Sequence, residues 1–155
     1  MPSELNNFIP STKYLEVELL IHCARTHIDV ERIDRVKSLV KQDINWQYLL
    51  NIANKNKILP LLYWHLSQIV PEVISTNELL FLRDQFNKSS KSNLFLSREL
   101  LKIFNLFESK NISVMPFKGP VMIYNLYKNL ALREFCDLDI LIHKEDLFKI
   151  KELLM

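Results

Sequence analysis

From Tyr14 to about Lys110, apolar positions recur three and four residues apart, the period of helices that bury one face. Val17, Leu20, Ile21 and Ala24 predict the buried face of a first helix over 14–26. Asp29 stands where an N-cap belongs before Ile33, Val36, Leu39 and Val40, and Asn45 stands likewise before Trp46, Leu49, Leu50 and Ala53. Pro60 suits the first turn of a fourth helix over 61–69, where its missing N–H has no helical partner anyway, and Pro71 closes that element. Ser75-Thr76-Asn77-Glu78 is a capping box that opens a pattern running to Ser109. Unbroken, it would span roughly 50 Å at 1.5 Å per residue. Its middle, Asn87 to Asn93, is polar throughout. One long helix is expected, either solvated there or admitting a close neighbour at small Ser90 and Ser97; a break into two is the alternative.

The period changes after Asn111. Residues 112–116 are too few for a core helix and predict a strand, followed by a Lys118-Gly119-Pro120 turn and a helix to about Tyr127. Cys136 to Ile142 predicts a second strand. It would put Asp137 and Asp139 on one face and Leu138, Ile140 and Ile142 on the other. Residues 145–154 return to the helical period. The expected class is α+β, mainly helical, with a helical region over 1–110 and a strand-helix-strand-helix segment over 111–155.

Composition sharpens this. The chain has 155 residues and one glycine, where ordinary usage would give roughly 11. That excludes glycine-rich dinucleotide and P-loop turns and disfavours all-β architectures, which spend glycine in hairpins. Any phosphate-holding turn must use Gly119. A net charge of +2 is too mild to argue for nucleic acid. Cys23 and Cys136 form no metal or redox pair and are expected to be reduced, buried thiols. The longest apolar run, Ile58 to Trp64, is far short of a membrane span, so a soluble, cytoplasmic protein with no membrane partner is expected.

Candidate chemistry gathers within 118–139. Two carboxylates at alternate strand positions repel one another, and a divalent cation relieves that repulsion by taking both as oxygen ligands, often with nucleotide phosphates. Lys118 and Gly119 sit between strand and helix, where backbone approaches an anion closely and the helix N-terminus favours negative charge. Arg133 can fork onto a phosphate or onto one of the aspartates.

Ile112-Ser-Val-Met-Pro-Phe-Lys-Gly-Pro, the Tyr127 to Arg133 approach and Asp137-Leu-Asp-Ile-Leu-Ile together resemble the nucleotidyltransferases of the polymerase-β superfamily. More narrowly, they resemble a poorly characterised bacterial branch with a Lys-Gly turn, an Arg and an Asp-φ-Asp strand. Asn45-Trp46, the Ala53 helix, Leu59-Pro60-Leu61-Leu62 and Arg98-Glu99-Leu100-Leu101 are similar to that branch's helical region, so the resemblance covers about 45–155. It implies that Asp137 and Asp139 are catalytic and hold Mg²⁺, or Mn²⁺ in its place. It also implies that Lys118 and Gly119 cradle the triphosphate of an NTP, and that a nucleotidyl group passes to an acceptor, whether protein, RNA or small molecule.

Two departures qualify these expectations. The superfamily has Gly-Ser at the turn, whereas Pro120 offers neither hydroxyl nor N–H, so phosphate binding must lean on Lys118 and later backbone donors. The superfamily's third carboxylate lies on a strand beyond those present here. A truncated chain, an excised fragment or a degenerate protein is therefore expected, inactive in isolation. The rival reading is a non-catalytic module that binds a protein partner or itself through an open sheet edge. A glycosyltransferase Asp-x-Asp ranks last, because alternating strands and helices would have to precede it.

Other residues attract and are set aside. Cys23 and His27 share a helical face with His22 nearby, but no second ligand pair follows, so a core or interface role is expected. His65 is expected to be a partly buried helix residue, His143 a loop residue, and Phe104 with Phe107 part of the core. Lys88, Lys91, Arg98 and Lys102, interrupted by Asp84 and Glu99, are expected to form a solvated face.

Overall fold

The computed structural model describes residues 15–72 and 74–154. Among them are seven α-helices and two short strands, the mainly helical α+β class that the sequence implies: α1 (Leu15–Cys23), α2 (Val30–Leu39), α3 (Trp46–Lys55), α4 (Leu59–Ile69), α5 (Thr76–Ser109), β1 (Val114–Pro116), α6 (Gly119–Tyr127), β2 (Ile140–Ile142) and α7 (Leu147–Leu154). The chain forms two compact units, 1–83 and 84–155, whose boundary falls within α5.

In the first unit the caps fall where the sequence places them. The Asp29 carboxylate accepts the Arg32 N–H at 3.0 Å, and Asn45 Oδ1 accepts that of Tyr48 at 3.0 Å. Pro60 occupies the first turn of α4. Leu19, Leu39, Leu49, Leu62, Leu66 and Leu82 are among the side chains that close the core. The buried face of α1 differs from expectation. Glu16, Leu19, Leu20 and Cys23 face inward, whereas Ile21 and Ala24 are exposed. The spacing is equally helical but rotated, and it carries a carboxylate. Glu16 is accommodated because its Oε1 accepts the Asn45 N–H at 2.7 Å, tying α1 to the start of α3. The expected Tyr14 start lies outside the described residues.

The tempting histidines and cysteine of this unit take structural places. Cys23 is fully buried, and burial pushes its thiol up to about 12. His22 lies 3.8 Å from Glu18, and His27 is exposed. His65 is buried, with Nε2 2.7 Å from the Arg25 carbonyl. Burial holds His65 below the ordinary imidazole range against the opposing pull of that carbonyl, and burial lowers His22 likewise. The unfolded chain therefore binds more protons below about pH 6.5, so stability is complete above that pH and lost as pH falls. The urea midpoint should drop between about pH 7 and pH 5.5, and the drop should shrink in His65→Gln. An equal drop in that variant would show that His65 is not a source.

The helix α5 runs unbroken over Thr76–Ser109. It ends in a turn where the Ile112 N–H reaches back to the Phe107 carbonyl at 2.9 Å, with Asn111 left-handed at φ 55°. The capping box at its other end is half formed: the Glu78 N–H lies 3.4 Å from Ser75 Oγ, while Glu78 Oε2 is buried without a hydrogen-bond partner. Phe107, Ile112 and Ile150 centre the core of this unit, with Val114, Ile140 and Ile142 packed against them. The strands pair antiparallel, Val114 with Ile142 and Pro116 with Ile140. The second strand is shorter than the expected 136–142. β1 ends at Pro116, which has no N–H to give, and beyond it the Phe117 N–H reaches across to the Asp139 carbonyl at 2.9 Å. Asp137 and Asp139 therefore precede the strand. Cys136 also departs from expectation: it is free but exposed, lying in that same unpaired approach.

Candidate functional site

The only glycine lies at the start of α6 with φ +60°, a conformation that side chains rarely adopt. It is buried, and a Cβ there would stand 3.4 Å from the Asp137 carbonyl oxygen, 3.8 Å from the Phe135 ring and 3.9 Å from Leu138. The absence of a side chain thus lets the first turn of α6 rest directly on the segment leading into β2. The other left-handed residues among those described, Lys57, Asn111 and Lys128, are all exposed.

Lys118, the N-cap residue of α6, completes this junction. Its ammonium lies 3.5 Å from Asp139 Oδ2 and 5.4 Å from the centre of the exposed Phe117 ring. Both partners of the ion pair are largely solvated, at 56% and 41% exposure, so the pair adds little stability and leaves the lysine able to exchange its carboxylate for another anion. The N–H groups of the first helical turn have no intrahelical acceptor, and Pro120 contributes none. Lys118 thus meets the Asp139 carboxylate, and Gly119 meets the Asp137 backbone, at one turn.

Arg133 is placed differently. It forms no ion pair with either aspartate among the described residues; one guanidinium nitrogen donates to the Tyr127 hydroxyl at 3.3 Å, and the side chain stays exposed. Its backbone is held from α5. Asn93 Nδ2 donates to the carbonyls of Leu130 and Arg133, at 2.6 and 2.8 Å, and Ser89 Oγ donates to Glu134 Oε1 at 2.5 Å. The polar middle of α5 is therefore not solvated along its whole girth. Ser89 and Asn93 are buried against the loop that carries Arg133, while Ser90 and Ser97 bond back to the carbonyls of Phe86 and Asn93 in their own helix. Asn93 is thus a buried polar residue within the polar run of α5.

The remaining side chains keep to the background. Lys88 pairs with Asp84 and Lys102 with Glu99, on exposed surface as expected. His143 is an exposed loop residue. Grooves of about 530 and 370 Å³ are lined by residues such as Phe104 and Glu108, and Met115 and Leu141, and neither lining includes Lys118, Asp137 or Asp139. No cluster of three or more His, Cys, Asp or Glu converges among the described residues, nor is any described helix long and apolar enough to cross a membrane.

A family model described as "Uncharacterised nucleotidyltransferase" matches residues 42–155. No curated protein and no solved structure matches the chain. The match takes in α3 to α7 and both strands, most of the chain and every residue of the Lys118–Asp139 junction. The chain belongs to this uncharacterised nucleotidyltransferase family.

Proposed function

We propose that this chain supplies the part that binds an NTP and Mg²⁺, or Mn²⁺ in its place, in a nucleotidyl transfer to an acceptor hydroxyl on a protein, an RNA or a small molecule. In this reading 111–155 is part of a nucleotidyltransferase lobe, with an incomplete sheet, preceded by a helical region over 1–110. One observation carries it: Gly119 seats the start of α6 on the Asp137 carbonyl while Lys118 reaches Asp139, so anion-binding and cation-binding groups share one turn.

The donor set fits a divalent cation. Asp137 and Asp139 offer hard carboxylate oxygens, and Asp139 already faces a cationic group in Lys118. Magnesium is ordinarily held by one or two carboxylates, with waters and substrate phosphates completing its shell. When bound, the cation would neutralise phosphate charge and make the α-phosphorus more electrophilic. Lys118 turns from Asp139 to the triphosphate as a point charge, and the free N–H groups at the start of α6 face the same anion. Arg133, exposed and tethered through Tyr127, supplies a planar fork for phosphate oxygens. The acceptor oxygen bonds to the α-phosphorus as the bond from that phosphorus to the bridging oxygen breaks. Pyrophosphate leaves with the electron pair, and the acceptor's proton passes to solvent.

Titration with a fluorescent NTP analogue tests this. Affinity should rise with Mg²⁺, and Asp137→Asn combined with Asp139→Asn should weaken Mg²⁺-assisted binding roughly tenfold or more, the equivalent of about 1.4 kcal/mol. EDTA should do the same to the unaltered protein. Unchanged affinity in the double variant sinks the proposal. A second reading, binding of a protein partner, is favoured by the exposed Met115–Leu141 cross-strand pair. It takes over if no nucleotide binds and the chain self-associates in sedimentation.

A further inference from the structure

We infer that Asn93, assisted by Ser89, is a positioning residue that fixes the 130–134 loop so that Arg133 meets the phosphates of a bound NTP; this rests on the nucleotidyl-transfer reading above. Asn93 is 1% exposed in the middle of a long helix, where an apolar residue would pack without demanding partners. Both hydrogens of its amide nitrogen are used, one on the Leu130 carbonyl and one on that of Arg133. The amide orientation is determined by these contacts, because the reverse would set its oxygen against two carbonyl oxygens. Asn93 Oδ1, though buried, has no hydrogen-bond partner among the described residues. The side chain therefore serves the loop at the expense of one unsatisfied acceptor, which a purely packing residue would not incur.

The tie is local to the functional segment. Asn93 fixes the backbone at Leu130 and at Arg133 itself, and Ser89, one helical turn earlier, holds the side chain of the next residue, Glu134. Downstream, Phe135, Asp137 and Leu138 rest on Gly119. The stretch from Leu130 to Leu138 is thus fastened at two places within one unit, by α5 and by the first turn of α6, and the exposed Arg133 guanidinium projects between these fastenings along the chain. A displaced loop carries Arg133 away from phosphate, so the effect of Asn93 on binding must pass through Arg133.

A double-mutant cycle in the full chain tests this, read by equilibrium binding of a fluorescent ATP analogue with Mg²⁺. Asn93→Asp keeps the shape but sets a carboxylate against both carbonyls, and Arg133→Ala removes the fork. Each alone should weaken binding roughly tenfold or more. The double variant should bind no more weakly than Arg133→Ala, because the first change has nothing left to displace. Losses that multiply would overturn the inference and leave Asn93 a residue of the fold alone. Should Asn93→Asp fail to fold, Ser89→Ala enters the same cycle, where non-additivity supports the inference and additivity refutes it. Multiplying losses in a protein whose binding still depends on Asp137 and Asp139 refute only this inference. A wild-type chain that binds no nucleotide defeats both readings.

Discussion

Gly119→Val will destabilise the unit over 84–155 by about 2–5 kcal/mol and abolish Mg²⁺-assisted NTP binding. The backbone contributes the first part. At φ +60° an L residue incurs roughly 1–2 kcal/mol of steric strain, which Gly119→Ala should show almost alone, since its Cβ would stand at the edge of ordinary contact, 3.4 Å from the Asp137 carbonyl. Valine adds two branch carbons in a place bounded by that carbonyl, the Phe135 ring and Leu138, and overpacking of this kind costs about 1–3 kcal/mol more. Relief can come only by moving α6 off the Asp137–Asp139 segment, which separates Lys118 from Asp139. Urea denaturation of the three proteins checks the order Gly, Ala, Val, and the nucleotide titration checks the site. Wild-type binding by a folded Val variant would mean that this close approach is not what assembles the junction.

That one glycine also shows how far the sequence could be read. With a single glycine in the chain, its place between a strand and a helix was the strongest local signal available, and the structure puts it at a buried, left-handed position. Helix starts were equally legible, because Asp29 and Asn45 cap by local hydrogen bonds that do not depend on the rest of the fold. What depends on a partner was not legible. The length of β2 is set by β1, whose Pro116 and early turn leave Cys136–Asp139 with little to pair with. The inward turn of Glu16 depends on an Asn45 N–H twenty-nine residues away, and that of Asn93 on carbonyls thirty-seven and forty residues away. A polar residue in a helical stripe reads as solvated until the acceptor or donor it serves is known. The same limit applies to Arg133, whose Tyr127 partner lies six residues upstream on a helix end that periodicity alone does not orient.

Phe107→Ala should be the most damaging single truncation in the second unit, at about 3–5 kcal/mol. Phe107 is fully buried, with Ile112 and Ile150 buried beside it, and truncating so large a side chain leaves a cavity that its neighbours close only in part. Its loss also loosens the turn that ends α5, where the Phe107 carbonyl accepts the Ile112 N–H and delivers the chain into β1. A unit of this size has a net stability of only a few kcal/mol, so the expected result is unfolding of 84–155 at room temperature. The unit over 1–83 has a separate and larger core, built on Leu19, Leu39, Leu49 and Leu62. Hydrogen exchange read by mass spectrometry should therefore show protection lost in peptides spanning 103–153 and kept in those from α1 to α4. Uniform loss along the chain would mean that the two cores melt as one, and the junction at Gly119 would then owe its stability to both. Retained protection throughout would mean that Val114, Ile140 and Ile142 collapse onto the vacated space, and the cost would fall to the transfer of the phenyl group alone.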